Sequence, residues 1–345
     1  MQDTAFAAEN NPIDVVITWV DGNDPKFLEK FNPCLQGLPR SAIPGAHHTR
    51  FSSSHEIRYC VLSILQFAPF VRNIFIVTDG QEPQLTDHIK LHFPNRTDTI
   101  RVVDHKEIFF GYEQYLPTFS SRTIESMIWR IPGLSNNFVY FNDDFFLVRD
   151  IKPEDWFVNG KPVLQGKWVP APYPRIMWDF VKLFINKYLL QKSSYQVRPS
   201  FHIGQWNSAH ILGYKLRYFA NSHTPSTIET KTIEKFFTQN SAILEKNISY
   251  QFRNRKQLNP ISLSNHLQLQ KGNSNISRPR LVYINAHKKK KGYIDAKIRQ
   301  CQANPKIKYL CIQSLELCNQ HDQEKLFAWL DQQLGFTPRA AGNAK

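Results

Sequence analysis

Apolar residues follow two rhythms along this chain. Four short runs are nearly continuous in apolar, β-branched or aromatic residues: "IDVVITWVDGNDP" at 13–25, "RNIFIVTDG" at 72–80, "TIRVVDH" at 99–105 and "NNFVYFNDD" at 136–144. Runs of this length without alternation predict strands buried on both faces. Between them lie helical spacings. "HEIRYCVLSILQFAPFV" repeats apolar residues at Ile57, Val61, Ile64 and Leu65 until Pro69 ends it, and "SSRTIESMIWRI" at 120–131 predicts a helix with a serine cap. Strand–helix alternation predicts an α/β fold with a mostly parallel, helix-flanked sheet over 13–150.

The pattern then loosens. Residues 151–220 form an aromatic-rich insertion. In it, "WDFVKLFINKYLLQK" at 178–192 sets Lys182, Lys187 and Lys192 among bulky apolar residues. That spacing suits either a basic amphipathic helix lying on a membrane or a core helix with solvated lysines, and the two readings weigh equally. Residues 229–270 read as polar helices, 271–293 as a loop containing "HKKKKG", and 322–335 as a closing amphipathic helix. The expected organisation is one catalytic domain over 13–337, whose part from 221 onward is largely helical and completes the site. Residues 1–12 are expected to be disordered and 338–345 to be a tail. The first eleven residues lack the basic start and apolar stretch of a secretory signal.

Composition narrows the partner. Across 345 residues the formal net charge is +14, which suggests an anionic partner. No zinc-finger or RNP-type motif accompanies the charge, so nucleic acid is not the expected one. The five cysteines form no CxxC pair, which argues against structural zinc and against a disulfide framework. The chain has no Walker A loop, G-x-G-x-x-G, G-x-S-x-G or H-E-x-x-H. ATP-driven, nicotinamide and serine-hydrolase chemistries therefore lose ground. The cytoplasm is the expected compartment, with peripheral attachment to the inner membrane face as a second expectation. Oligomeric state stays open.

The candidate chemistry sits at strand ends. Asp21, Asn23 and Asp24 follow the first run, Asp79 the second, Asp104 the third, and Asn142, Asp143 and Asp144 the fourth. A single acid after a strand normally caps the next turn. Two adjacent acids inside an aromatic run are different. Strand alternation would aim one at a ligand or metal and leave the other to brace a loop, an arginine being the alternative partner for either. Mg²⁺ bridging a diphosphate would use such acids, with Mn²⁺ as the alternative. Arg50, Arg58, Arg72 and Arg122 are expected near that face, and Arg253, Arg255 and Lys256 lie in "FRNRKQLNP". Guanidinium forks match phosphate oxygens, although a lone arginine is usually solvated. His223 in "SHTPST" is a general-base candidate against the commoner reading of a structural histidine. Lys288–Lys291 reads as a solvated run able to steer a polyanion.

Taken together, "DVVITWVDGNDP", "HEIRYCVLSILQFAPFVRNIFIVTDGQEPQL" and "LPTFSSRTIESMIWRIPGLSNNFVYFNDDFFL" resemble the first two conserved blocks of the Stealth family. "HTPSTIETKTIEKFF…ISYQFRNRKQLNP" looks like its third block and "LCNQHDQEKLFAWLDQQLGF" like its fourth. The family contains bacterial capsular polysaccharide phosphotransferases and the catalytic subunit of N-acetylglucosamine-1-phosphotransferase. The resemblance implies a Rossmann-like, glycosyltransferase-related core that commonly needs a divalent metal. It implies transfer of a sugar 1-phosphate from a nucleotide diphosphosugar, expected to be a UDP-sugar, to a glycan hydroxyl, with release of the nucleoside monophosphate. An anionic glycan acceptor would suit the positive charge.

Carried over by motif position, Asp21, Gly22 and Asp24 would lie in the nucleotide-sugar pocket, shaped by Arg50, Glu56 and Arg58. Asp144, with Asp143, would be the essential acid, His223 the base and Arg253 the phosphate clamp. In the fourth block an acid usually follows the asparagine. Here Asn319 is followed by Gln320, so if that acid is a metal ligand, either Asp322 substitutes for it or metal binding differs. Two other readings stand beside this one: a glycosyltransferase that breaks the sugar–oxygen bond, and a non-catalytic polyanion-binding protein.

Overall fold

The computed structural model describes residues 11–51, 55–192, 195–286 and 291–336. Its centre is a five-stranded mixed sheet. Four strands are mutually parallel: β1 (Ile13–Thr18), β2 (Ile74–Thr78), β3 (Ile100–Asp104) and β4 (Asn137–Asn142), in spatial order β4-β1-β2-β3. The segment Ser226–Glu229 adds an antiparallel edge outside β4. β1 and β4 run in register from Ile13↔Asn137 to Thr18↔Asn142, so both reach their carboxyl ends together. β2 is buried throughout, which is why its run is continuously apolar.

Asp14 is the exception inside that apolar layer, and it is fully buried. Its Oδ1 accepts from Arg72 Nε (2.9 Å) and Asn73 N (3.2 Å), and its Oδ2 from Arg72 Nη2 (2.6 Å) and Ser135 N (2.7 Å). This bidentate pair offsets the desolvation of the carboxylate. It also corrects the placement of Arg72, which tightens the amino end of the sheet and does not serve the strand-end face.

Helices cover both faces. Glu56–Phe67 packs into one core with β1, β2 and the closing helix Gln320–Gln333; that core runs from Ile13 to Leu334. The other face packs Val16, Phe75, Phe138 and Tyr140 against Ile233, Phe237, Leu244 and Leu263. These come from helices Thr230–Gln239, Ser241–Ile248 and Pro260–Gln270, as the polar spacing of 229–270 predicts. The helix expected over 120–131 is shorter. Ser121–Glu125 is α-helical, Ile128–Arg130 is a 3₁₀ turn, and Ser120 does not cap because its hydroxyl donates to Gln257 Oε1 (2.9 Å).

Two departures matter for the site. The run at 136–144 is not one strand: β4 ends at Asn142, Asp143 and Asp144 form a turn, and β5 (Phe145–Leu147) follows. Residues 271–293 are not only loop. Leu281–Asn285 is a strand that pairs in parallel with Tyr309–Gln313, which in turn pairs antiparallel with β5. Residues 288–290 of the lysine run, 1–10 and 337–345 lie outside the described residues.

The loop after β1 closes against residue 51. Gly22 N donates to Phe51 O at 2.6 Å, and a Cβ on Gly22 would come within 2.5 Å of that oxygen and of Phe51 Cβ. Gly22→Ala is therefore expected to cost about 1–3 kcal/mol of stability, read by urea unfolding. An unchanged midpoint would mean the loop moves freely.

Candidate active site

Strand order turns back at β1, and the crevice at such a point is where open α/β sheets receive ligands. Here it is a cleft of about 520 Å³. From the expected residues it gathers Arg50, Glu56, Asp79, Arg122, Asn142, Asp143, Asp144, His223 and Arg253.

Asp143 and Asp144 both line it, because a turn frees them from strand alternation. The Cys311 thiol donates to Asp144 Oδ2 (3.7 Å), Ile312 N donates to the Asp144 carbonyl (3.0 Å), and Asp144 Oδ1 has no partner. Among the described residues no ion pair reaches either carboxylate. Burial, followed by the charges of Asp144 and Glu56, pushes the Asp143 carboxyl well above the usual range. Burial and then Glu56 push Asp144 up to about 7.

An acid pair with no counter-cation fits a divalent ion that takes one or two carboxylates and fills its shell with phosphate and water. Among the described residues no group of three His, Cys, Asp or Glu side chains converges to hold a metal alone. A cation here would thus be shared with a substrate.

The cleft also presents three arginines that come together from distant parts of the chain. Arg122 is buried; its Nη2 donates to Ser200 O (2.7 Å) and its Nη1 to Asn254 O (3.2 Å). The guanidinium lies flat on Gly204, where a Cβ would sit 2.5 Å from Nη2. Arg253 Nη2 donates to Ser121 Oγ, and Arg50 stands at the exposed rim. Repulsion from Arg253 foremost, and then the partial desolvation of its guanidinium as it reaches into the cleft from an otherwise exposed residue, push Arg50 down to about 9. Burial, then Arg253, do the same to Arg122. Such mutual repulsion is what a bound polyanion relieves.

Glu125 faces this cluster with Oε2 unpartnered, while its Oε1 accepts from Tyr140 Oη at 3.5 Å. Sequence reasoning passed over it. The available signal was its i+3 spacing from Arg122 on one short helix.

His223 projects into the same cleft, sandwiched between the rings of Phe201 (4.8 Å) and Tyr283 (5.2 Å). Burial, then the neighbouring His202, lower its pKa, so the ring is neutral near pH 7. A neutral, oriented imidazole is the form that accepts a proton.

Other expected residues lie elsewhere. Asp21 Oδ1 accepts from Asn23 N (2.9 Å). Asp24 caps helix Pro25–Cys34 and accepts from Gln81 Nε2 (3.0 Å), which holds it below the usual carboxyl range. Asp21, Gly22, Asn23 and Asp24 thus shape the loop after β1 and are not among the residues lining the cleft. Asp104 caps the turn after β3, while Asp79, although it lines the cleft, is paired with Lys30 (2.8 Å). Arg58 donates to Tyr59 Oη (2.9 Å), and Arg255 pairs with Asp179 (3.1 Å). Asn319 caps Gln320–Gln333 and donates to Asp322 Oδ2 (2.9 Å) beside a second cleft. Asp322 is therefore not placed with Asp143 and Asp144.

The fold and cleft define an α/β protein that sets three arginines and an acid pair in one strand-end crevice. Two family models match it: Stealth protein CR1, conserved region 1, over 11–37, and Stealth protein CR2, conserved region 2, over 50–164. The chain carries the first two conserved regions of the Stealth family. It is similar to the capsular polysaccharide phosphotransferase cps1A of Actinobacillus pleuropneumoniae, 41% identical over 150 residues, which are 43% of this chain and 39% of that protein. The match thus spans about two fifths of that relative's length. The receptor polysaccharide phosphotransferase WefC of Streptococcus oralis is 28% identical over 296 residues, 79% of this chain and 82% of that one. Among solved structures, the galactosyltransferase LgtC with donor and acceptor sugar analogs aligns at TM-score 0.41 and 9% identity, covering 94% of this chain and 98% of that one. That likeness is loose.

Proposed function

We propose that this chain transfers a sugar 1-phosphate from a nucleotide diphosphosugar, a UDP-sugar being the first candidate, to a hydroxyl of an anionic glycan. The carrying observation is the confrontation in one cleft of three guanidiniums, two carboxylates without a cation, and a neutral histidine. The relatives named as capsular and receptor polysaccharide phosphotransferases support the same reading.

In this mechanism Arg50, Arg122 and Arg253 hold the diphosphate and stabilise charge gathering on the transferring phosphoryl oxygens. His223 takes the proton of the acceptor hydroxyl as its oxygen bonds to the phosphorus next to the sugar. The bond from that phosphorus to the bridging oxygen breaks, and nucleoside monophosphate leaves. The sugar–oxygen bond stays intact. Asp143 and Asp144 would hold a divalent metal, Mg²⁺ first, which when bound supplies further charge neutralisation at the diphosphate. The Glu125 carboxylate offsets part of the repulsion on Arg122 and Arg253.

The test is to incubate the protein with Mg²⁺, a panel of UDP-sugars and a phosphoglycan primer, and to identify the released nucleotide. UMP supports the proposal. UDP means the sugar–oxygen bond breaks, and the chain is then a glycosyltransferase. Arg253→Lys keeps the charge and loses the fork, so turnover should fall roughly 10²-fold with the fold retained. Loss of less than threefold would remove Arg253 from the phosphate site.

A further inference from the structure

The segment from Tyr173 to Lys192 buries none of its residues. Its α-helix Tyr173–Phe184 continues into a π-helical turn, Ile185–Leu189. Phe180, Phe184, Tyr188 and Leu189 are 60%, 56%, 70% and 65% exposed, far above what a solvated helix needs. At 100° per residue along the α-helix, Phe180 and Phe184 share about half the circumference with Met177 and Trp178, and the wider π-turn carries Tyr188 and Leu189 on from there. The opposite, partly covered side carries Ile176 and Asp179, and Asp179 is spent on Arg255 (3.1 Å). Leu216, 83% exposed on the adjoining loop, extends the patch, and Tyr173 Oη ties helix to loop by donating to Lys215 O (2.6 Å).

The charges decide what covers it. Asp179 is the segment's one acid, while Arg175, Lys182, Lys187 and Lys192 are cationic. Lys182 and Arg175 border the exposed apolar arc on one side and Lys187 on the other. A second copy docking through this face would bring like charges together. An anionic bilayer surface accepts apolar side chains between its headgroups and pairs the flanking cations with phosphate. We infer that this helix lies in the plane of an anionic phospholipid surface and docks the protein there. The inference rests on no part of the catalytic reading.

The probe is flotation of the full chain with phosphatidylglycerol–phosphatidylethanolamine vesicles against phosphatidylcholine vesicles, with sedimentation velocity in parallel. Strong partition to the anionic vesicles alone is expected, weakening with salt. Phe184→Glu with Leu189→Glu should lower that partition at least tenfold while leaving the melting temperature unchanged. Lys182→Glu with Lys187→Glu should lower it on anionic vesicles. Three results would each overturn the inference: no partition, equal partition to both vesicle types, or a dimer in solution that Phe184→Glu with Leu189→Glu dissolves.

Discussion

Asp144→Asn is expected to lower turnover at least roughly 10³-fold while the metal-free protein becomes slightly more stable. Both effects have one origin. The carboxylate lies buried beside Asp143 and Glu56, without a cation, and its folded pKa rises from 3.8 to about 7. A raised acid pKa means that the fold favours the protonated form. Its stabilising contribution is complete below pH 3.8 and is lost as pH climbs through 7. Metal-free wild type should therefore melt lower at pH 8 than at pH 5 by this contribution, and the asparagine variant should lose that part of the slope.

At pH 8 the variant's Tm should exceed that of chelator-treated wild type by roughly 2–4 °C. Mg²⁺ should raise the wild-type Tm and leave the variant nearly unmoved. A folded variant with near-normal turnover would end the role given to this acid. Equal Mg²⁺ responses would end the metal assignment.

His223→Asn should remove 10²–10⁴-fold of kcat, the usual range for a positioned proton acceptor, with little change in KM for the donor. Its two aromatic neighbours fix the plane of the ring and cover its faces. Because burial lowers its pKa below 6.5, the acid limb of the wild-type rate should lie below pH 6.5. In the proposed metal-bound state, saturating Mg²⁺ would hold Asp144 ionised during that measurement. The limb should vanish in the variant. A variant within threefold of wild type, or one that keeps the limb, would show that another group takes the proton.

The parallel strands were legible because burial on both faces leaves a continuous apolar run and nothing else explains one. The same logic misled at "NNFVYFNDDFFL". Aromatic residues flank the acids on both sides, so a two-residue turn looked like uninterrupted strand. Arg72 was misplaced for a related reason. Its partner Asp14 hides at the second position of an apolar run, and a bidentate pair across 58 residues leaves no local trace.

The acids of the cleft announce themselves by adjacency, but the arginine cluster does not. Arg50, Arg122 and Arg253 become neighbours only once the loop at 252–256 folds back onto helix Ser121–Glu125, through Arg253 to Ser121 and Gln257 to Thr123 (2.9 Å). The strands Leu281–Asn285 and Tyr309–Gln313 were missed because basic and polar flanks broke up their apolar signal.

That fold-back has a consequence for how such chains can diverge. The two recognised regions end at residue 164, yet the cleft they open is finished by His223, Arg253 and the Gln313–Glu316 loop. A fragment stopping near 164 would keep the acids and two arginines but lack His223, the proton acceptor of the proposed mechanism. The second half must therefore keep its geometry fixed to the first. Grafting the second half of one relative onto the first half of another should fail at the Ser121–Arg253 and Thr123–Gln257 seams before it fails anywhere else.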